Sequence, residues 1–168
     1  MTEEIEIKMR KAIKSNNLES VKEIFEKNPD CKNAITVFGS FLHDAAKYGK
    51  YEIVKYFINN GFNVNLKAGF LEANALTDAV EHGYLDIVEL LHNAGAIFDT
   101  STFSANPLFA AIYNGHFDVV KLLVENGIDI TAAYPIGELE SCDAYEFARQ
   151  YGQTEIADYL KGYRYKGC

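Results

Sequence analysis

The sequence has no tryptophan and only three prolines and three cysteines in 168 residues. Cys31, Cys142 and Cys168 are odd in number and far apart, so they offer no disulfide framework and no Cys-x-x-Cys zinc pair. Reduced thiols in a cytosolic protein are the expectation. Nowhere do 18 apolar residues run together, so no membrane-spanning helix is expected. The opening Met-Thr-Glu-Glu-Ile-Glu is acidic and has no apolar segment of the secretory kind, which points to the cytoplasm. Basic residues are scarce over most of the chain: from residue 68 to 160, fifteen Asp and Glu face only Lys121 and Arg149, within a formal net charge of −8. That field repels nucleic-acid phosphates and attracts cationic partners, so the expected partner is a protein with a basic surface and not a nucleic acid or a membrane.

What is present is globular and repetitive. Apolar content of 48% beside 24% charged residues is that of an ordinary folded domain, and the length suffices to bury a core without staples. Pairs of residues that tolerate a left-handed backbone recur twelve apart, at Asn16/Asn28, Gly49/Gly61, Gly83/Gly95 and Gly115/Gly127. Their first members are 33, 34 and 32 residues apart, and Gly152 follows 37 after Gly115. A period near 33 marks a stack of small supersecondary units.

Within each unit the same apolar stripe returns. Ile53, Val54, Phe57 and Ile58 recur as Ile87, Val88 and Leu91, as Val119, Val120, Leu123 and Val124, and as Ile156, Ala157 and Leu160. Spacing of i, i+1, i+4 and i+5 makes one helix face. Glu52, Asp86, Asp118 and Glu155 fall in the first turn, where negative charge complements the helix dipole. Nine residues before each glycine stands a capping residue, Ser40, Asn74, Asn106 or Asp143, whose side chain is expected to accept the free N–H groups of a shorter helix. Small residues line the middle of that helix: Ala45, Ala46, Ala79, Ala111 and Ala148. The first unit reads as helices over 3–15 and 18–27, and the last ends in a helix over 154–160 followed by a tail, 162–168, expected to fray.

These motifs resemble the ankyrin repeat. Ser40-Phe-Leu-His43 and Asn106-Pro-Leu-Phe109 carry the first half of the family pattern, and Gly115-His-Phe-Asp-Val-Val-Lys-Leu-Leu-Val-Glu-Asn-Gly127 carries the second. The resemblance implies an all-α ankyrin-repeat solenoid of about five helix-turn-helix units with short hairpin-like fingers. As one domain over 1–168, its units fall at about 1–35, 36–69, 70–101, 102–138 and 139–163. His43 alone keeps the family histidine; Thr77, Phe109 and Glu146 replace it, which puts the usual inter-repeat hydrogen bonds there in doubt. The connection over 134–141 is four residues longer than standard and reads either as a contact insertion or as a span anchored by Ile136.

No catalytic motif is found: neither Gly-x-Ser-x-Gly, a P-loop nor His-Glu-x-x-His. His43, His82, His92 and His116 occupy four different slots, so no metal, cofactor or enzymatic activity is expected. The resemblance implies a groove lined by the shorter helices and fingertips, where family members hold protein partners. By position it presents Asp44, Lys47 and Tyr48, then Asp78, Glu81 and His82, then Tyr113 and Asn114, and then Tyr151. The fingertips present Phe70 and Leu71, Phe103 and Glu138. Aromatics at loop tips and in grooves favour binding. A monomeric module that neutralises a toxin or enzyme, similar to small ankyrin immunity proteins of bacteria, is the leading reading. The alternative is a scaffold or effector that docks without inhibiting.

Overall fold

A computed structural model describes residues 2–36, 38–69 and 72–164. Among the described residues, ten α-helices follow one another in five packed pairs. They are α1 (Glu3–Lys14) with α2 (Leu18–Lys27), α3 (Phe41–Lys47) with α4 (Tyr51–Asn59), α5 (Ala75–Glu81) with α6 (Leu85–Asn93), α7 (Pro107–Tyr113) with α8 (Phe117–Glu125), and α9 (Ala144–Gln150) with α10 (Thr154–Arg164). The chain divides into two compact units, residues 1–97 and 98–168. In the first, α1, α3 and α5 form an inner row and α2, α4 and α6 an outer one; in the second, α7 packs on α9 and α8 on α10.

Each short helix ends as its glycine dictates. Gly49 has φ +67°, and its N–H and that of Lys50 close back on the carbonyls of Ala46 and Ala45 at 3.1 and 2.9 Å. This paired closure satisfies carbonyls the helix end would otherwise leave open. A Cβ on Gly49 would also lie 2.7 Å from the Tyr84 ring, so a side chain there would be strained in its backbone and would have to push that ring aside. The expected stripe residues Ile53, Val54, Phe57, Ile87, Val88, Leu91, Val120, Leu123 and Leu160 are all buried, and Ala45, Ala79, Ala111 and Ala148 have no exposed surface. Small inner side chains let successive helices approach closely, which is why the alanines are found on the inner row.

The caps divide in their behaviour. Asn106 Oδ1 accepts the Leu108 N–H at 2.9 Å, and Asp143 Oδ1 accepts the Glu146 N–H at 3.0 Å. Asn74, expected to do the same, makes no such cap, because its Nδ2 donates to the Ile97 carbonyl at 2.9 Å. At Ser40 the cap works through His43, whose Nδ1 lies 3.3 Å from the Ser40 N–H and 2.8 Å from its Oγ, while Nε2 lies 3.1 Å from the Ala73 carbonyl. Two donors on Nδ1 and an acceptor on Nε2 specify the neutral, Nε2-protonated ring.

Burial lowers the His43 pKa below its ordinary 6.5, and the Ala73 carbonyl acts weakly the other way. The unfolded chain therefore binds the proton more readily than the folded chain. The stabilisation is full above the unfolded pKa and is lost as pH falls through the folded one. We expect the difference in melting temperature between the parent chain and His43→Gln to move in the variant's favour as pH falls from 7 to 5, read by calorimetry over the pH series. An unchanged slope in the variant would contradict it.

Two other expectations change. The long connection is a two-stranded antiparallel hairpin, β1 (Tyr134–Ile136) and β2 (Leu139–Cys142), with Gly137 at φ +59° in its turn. Its anchor is Tyr134, whose hydroxyl donates to the Thr100 carbonyl at 2.6 Å and accepts from Asn106 Nδ2 at 3.0 Å. The final helix also runs to Arg164, into the tail that was expected to fray. Tyr159 and Tyr163 explain the extension: one turn apart, their rings lie 5.1 Å from each other and their hydroxyls 3.2 Å. Residues 165–168 lie outside the described set.

Candidate functional site

The inner helices of the first unit enclose a cleft of about 390 Å³. Five of the expected binding residues share it: Asp44 and Lys47 from α3, Tyr48 just past its end, and Asp78 and Glu81 from α5. Their convergence follows from the repeat itself. Asp44 and Asp78 each stand four residues after their caps, Ser40 and Asn74, and so occupy equivalent places on neighbouring helices.

Equivalent places do not mean equivalent states. Asp44 is buried, and its carboxylate is held by the Arg10 guanidinium from α1. Arg10 also donates through Nε to Glu6 at 3.1 Å and through Nη2 to Thr36 and to the Gly39 carbonyl in the first finger. Its guanidinium lies 5.7 Å from the Phe38 ring centre and 5.5 Å from that of Phe41, within range of cation–π attraction. Asp44 is therefore a buried, occupied charge and not one presented to a partner. Sequence reasoning passed over Arg10, although its signal was legible: Arg10, Asp44 and Asp78 are spaced by 34 residues each.

Asp78 has no such cation. Burial pushes its carboxyl up to about 7 from an ordinary 3.8, Glu81 adds to the rise, and Lys47 opposes it. The folded chain thus binds this proton more tightly than the unfolded one. Its contribution to stability is full below the ordinary carboxylate value and is lost as pH rises through about 7.

The walls of the cleft are partly aromatic. Phe38 is 73% exposed, more than any other large apolar residue described, and Tyr48 stands at the same mouth with Lys14 Nζ 5.7 Å from its ring centre. His82 does not line the cleft. Its ring stacks on Tyr84 at 6.0 Å, and its Nδ1 lies 3.0 Å from the Asp78 carbonyl oxygen. Phe70 and Leu71 lie outside the described residues.

In the second unit the aromatic residues form their own group. Tyr113 and Tyr151 meet edge to face at 5.2 Å, both exposed, and Tyr151 lies on buried Phe147 at 4.4 Å. Phe103, expected at a free fingertip, is 40% exposed but packs edge-on against Phe109, Phe147 and Tyr134 at 5.4, 5.6 and 6.1 Å. It is half wedge and half surface. Asn114 donates to the Ala110 carbonyl at 2.9 Å, and Glu138 is exposed in the hairpin turn. Among the described residues no group of three or more His, Cys, Asp or Glu is placed to hold a metal ion, and no helix is long and apolar enough to cross a membrane.

A family model for ankyrin repeats (three copies) matches residues 9–102 and 42–134. The chain belongs to the ankyrin-repeat family. Its helix pairs, glycine stops and His43 bridge are the ankyrin pattern, and its fold is all-α with a minor two-stranded sheet. Ankyrin repeats are in general protein–protein interaction modules and are typically non-enzymatic. No curated protein matches the chain.

Proposed function

We propose that this ankyrin protein is a non-enzymatic module that holds a partner protein with a basic surface, using the acidic and aromatic residues of its inner helices and fingers. The observation that carries the reading is the cleft between α3 and α5, where Asp78 and Glu81 stand beside the exposed rings of Phe38 and Tyr48. Rigid aromatic rings give contact area at low entropic cost, while the carboxylates and the net charge of −8 select for cations. Occupying the cationic cleft of a toxin or enzyme would neutralise it, which makes inhibition the role best matched to this charge.

The test is capture of the partner from the source cells, followed by affinity measurements over a salt series. The double variant Asp78→Lys with Glu81→Lys is expected to weaken binding at least about tenfold and to flatten its dependence on salt. Unchanged affinity and salt slope would remove the electrostatic part of the reading. Loss of the captured protein's own activity in the complex would establish inhibition, and full retention of that activity would favour a scaffold.

A further inference from the structure

Three inner helices of the first unit carry a column of charges 34 residues apart: Arg10 on α1, Asp44 on α3 and Asp78 on α5. The first two are paired with each other. Asp78, the third, makes no ion pair and no side-chain hydrogen bond among the described residues. Lys47, which acts on it across the cleft, stays exposed and unpaired with it. A half-buried carboxylate without a counter-charge is costly to keep ionised, and the cleft beside it is open.

We propose that this cleft receives one lysine or arginine side chain of the partner protein, its cationic head on the Asp78 carboxylate and its stem along the Phe38 and Tyr48 rings. This rests on the interaction reading above and specifies its central contact. The chain already builds one such arrangement for itself, since Arg10 sits on Asp44 with its guanidinium over Phe38 and Phe41. The guest side chain repeats it one helix further along. At about 390 Å³ the cleft is near the small end of binding pockets, suited to one side chain and not to a larger cofactor. A divalent cation would need several more oxygen ligands than the site gathers. An apolar guest would leave Asp78 unpaired.

Binding is linked to pH. A cation on Asp78 favours its ionised form, so the guest binds more tightly as pH rises from 6 to 8 and displaces a proton at the lower end. The charges that act on Asp78 are Glu81 on its own helix and Lys47 on α3. Arg10 on α1 is committed to Asp44, and His43 on α3 is fixed by Ser40 and Ala73. His82 is turned to a backbone carbonyl, and Asp86, Glu89 and His92 of α6 do not act on Asp78.

The experiment is an NMR titration of the full chain with Nα-acetyl-arginine amide and with Nα-acetyl-lysine amide. The neutral arginine isostere Nα-acetyl-citrulline amide is the control. The cationic probes are expected to shift the amides of residues 44–48 and 73–81 saturably, at least about threefold more tightly than the control. The preference should grow from pH 6 to pH 8 and vanish in Asp78→Asn. The tighter of the two cations identifies the head group. Should Asp78→Asn fail to fold, the carboxyl carbon of Asp78 in the unaltered chain gives the same answer: its titration midpoint must fall when a cationic probe is bound. Equal binding of the citrulline amide, shifts elsewhere on the chain, or an unmoved midpoint would overturn the proposal. If the captured partner still depends on Asp78 and Glu81 while neither cation enters the cleft, this pocket is lost but the broader interaction stands. Loss of both dependences removes both.

Discussion

Phe109→Ala is expected to cost the second compact unit about 3–5 kcal/mol, the range for deleting a buried aromatic ring. Phe109 is 1% exposed, with Phe147, Tyr134 and Phe103 around it at 5.0, 5.1 and 5.4 Å between ring centres. It stands three residues after the Asn106 cap, where His43 stands after Ser40 in the first unit. There the imidazole bridges to a carbonyl; here the ring makes edge contacts that are favourable beyond the area they bury. The loss is a large share of a domain's whole stability. Urea denaturation followed by circular dichroism should show the midpoint fall sharply. Phe109→Leu should cost less, because most of the volume stays. Phe109→His should not restore the loss even though it returns the family residue, since a buried imidazole must find partners that this cluster of rings does not offer. A loss below about 1 kcal/mol for the alanine variant would show that the ring is not part of the core.

The helix pairs, the glycine stops and the buried stripe were legible in the sequence because each is dictated by backbone geometry within a dozen residues. A glycine at Gly49 and a stripe at Ile53, Val54 and Phe57 require no knowledge of the rest of the chain. The cap at Asn74 was misread for the opposite reason: its amide goes to Ile97, 23 residues away, and no local rule shows that competition. Phe103 belongs to the same class. Its place at a fingertip follows from the repeat, but its wedging among Phe109, Tyr134 and Phe147 depends on the hairpin after α8. For the site, the positions of Asp44, Lys47, Tyr48, Asp78 and Glu81 on a common face followed from the ankyrin resemblance, which implies a groove along the shorter helices. What did not follow is that one aspartate is buried and neutralised by Arg10 and the other is half-buried without a cation. Burial and pairing are properties of side chains meeting across units, and only the 34-residue spacing hints at them.

Arg10→Ala is the second substitution with a large expected effect, about 2–3 kcal/mol. Removing one member of a buried ion pair leaves the other charge dehydrated and unpaired, which costs about 3–5 kcal/mol when burial is complete. The Arg10 and Asp44 side chains are 21% and 10% exposed, so some water reaches the site and the lower figure is appropriate. The first finger should loosen as well, because Arg10 holds Thr36 and the Gly39 carbonyl. Faster hydrogen exchange at the Thr36 and Gly39 amides would report this separately from global stability. The double variant Arg10→Met with Asp44→Leu should recover most of the loss, since apolar side chains of similar size need no counter-charge. If Arg10→Ala costs less than about 0.5 kcal/mol, the pair behaves as a surface contact and the column of charges loses its structural weight. The two aspartates make one further outcome decisive. In Arg10→Ala the cleft holds Asp44 as well as Asp78 without a fixed cation, so Nα-acetyl-arginine amide should bind the variant more tightly than the parent chain. It should also raise the variant's melting temperature by more, because a ligand stabilises the folded state in proportion to its occupancy. An equal or smaller gain would mean that a guanidinium added from solution cannot take the place of Arg10, and the analogy between its seat and the seat at Asp78 would fail with it.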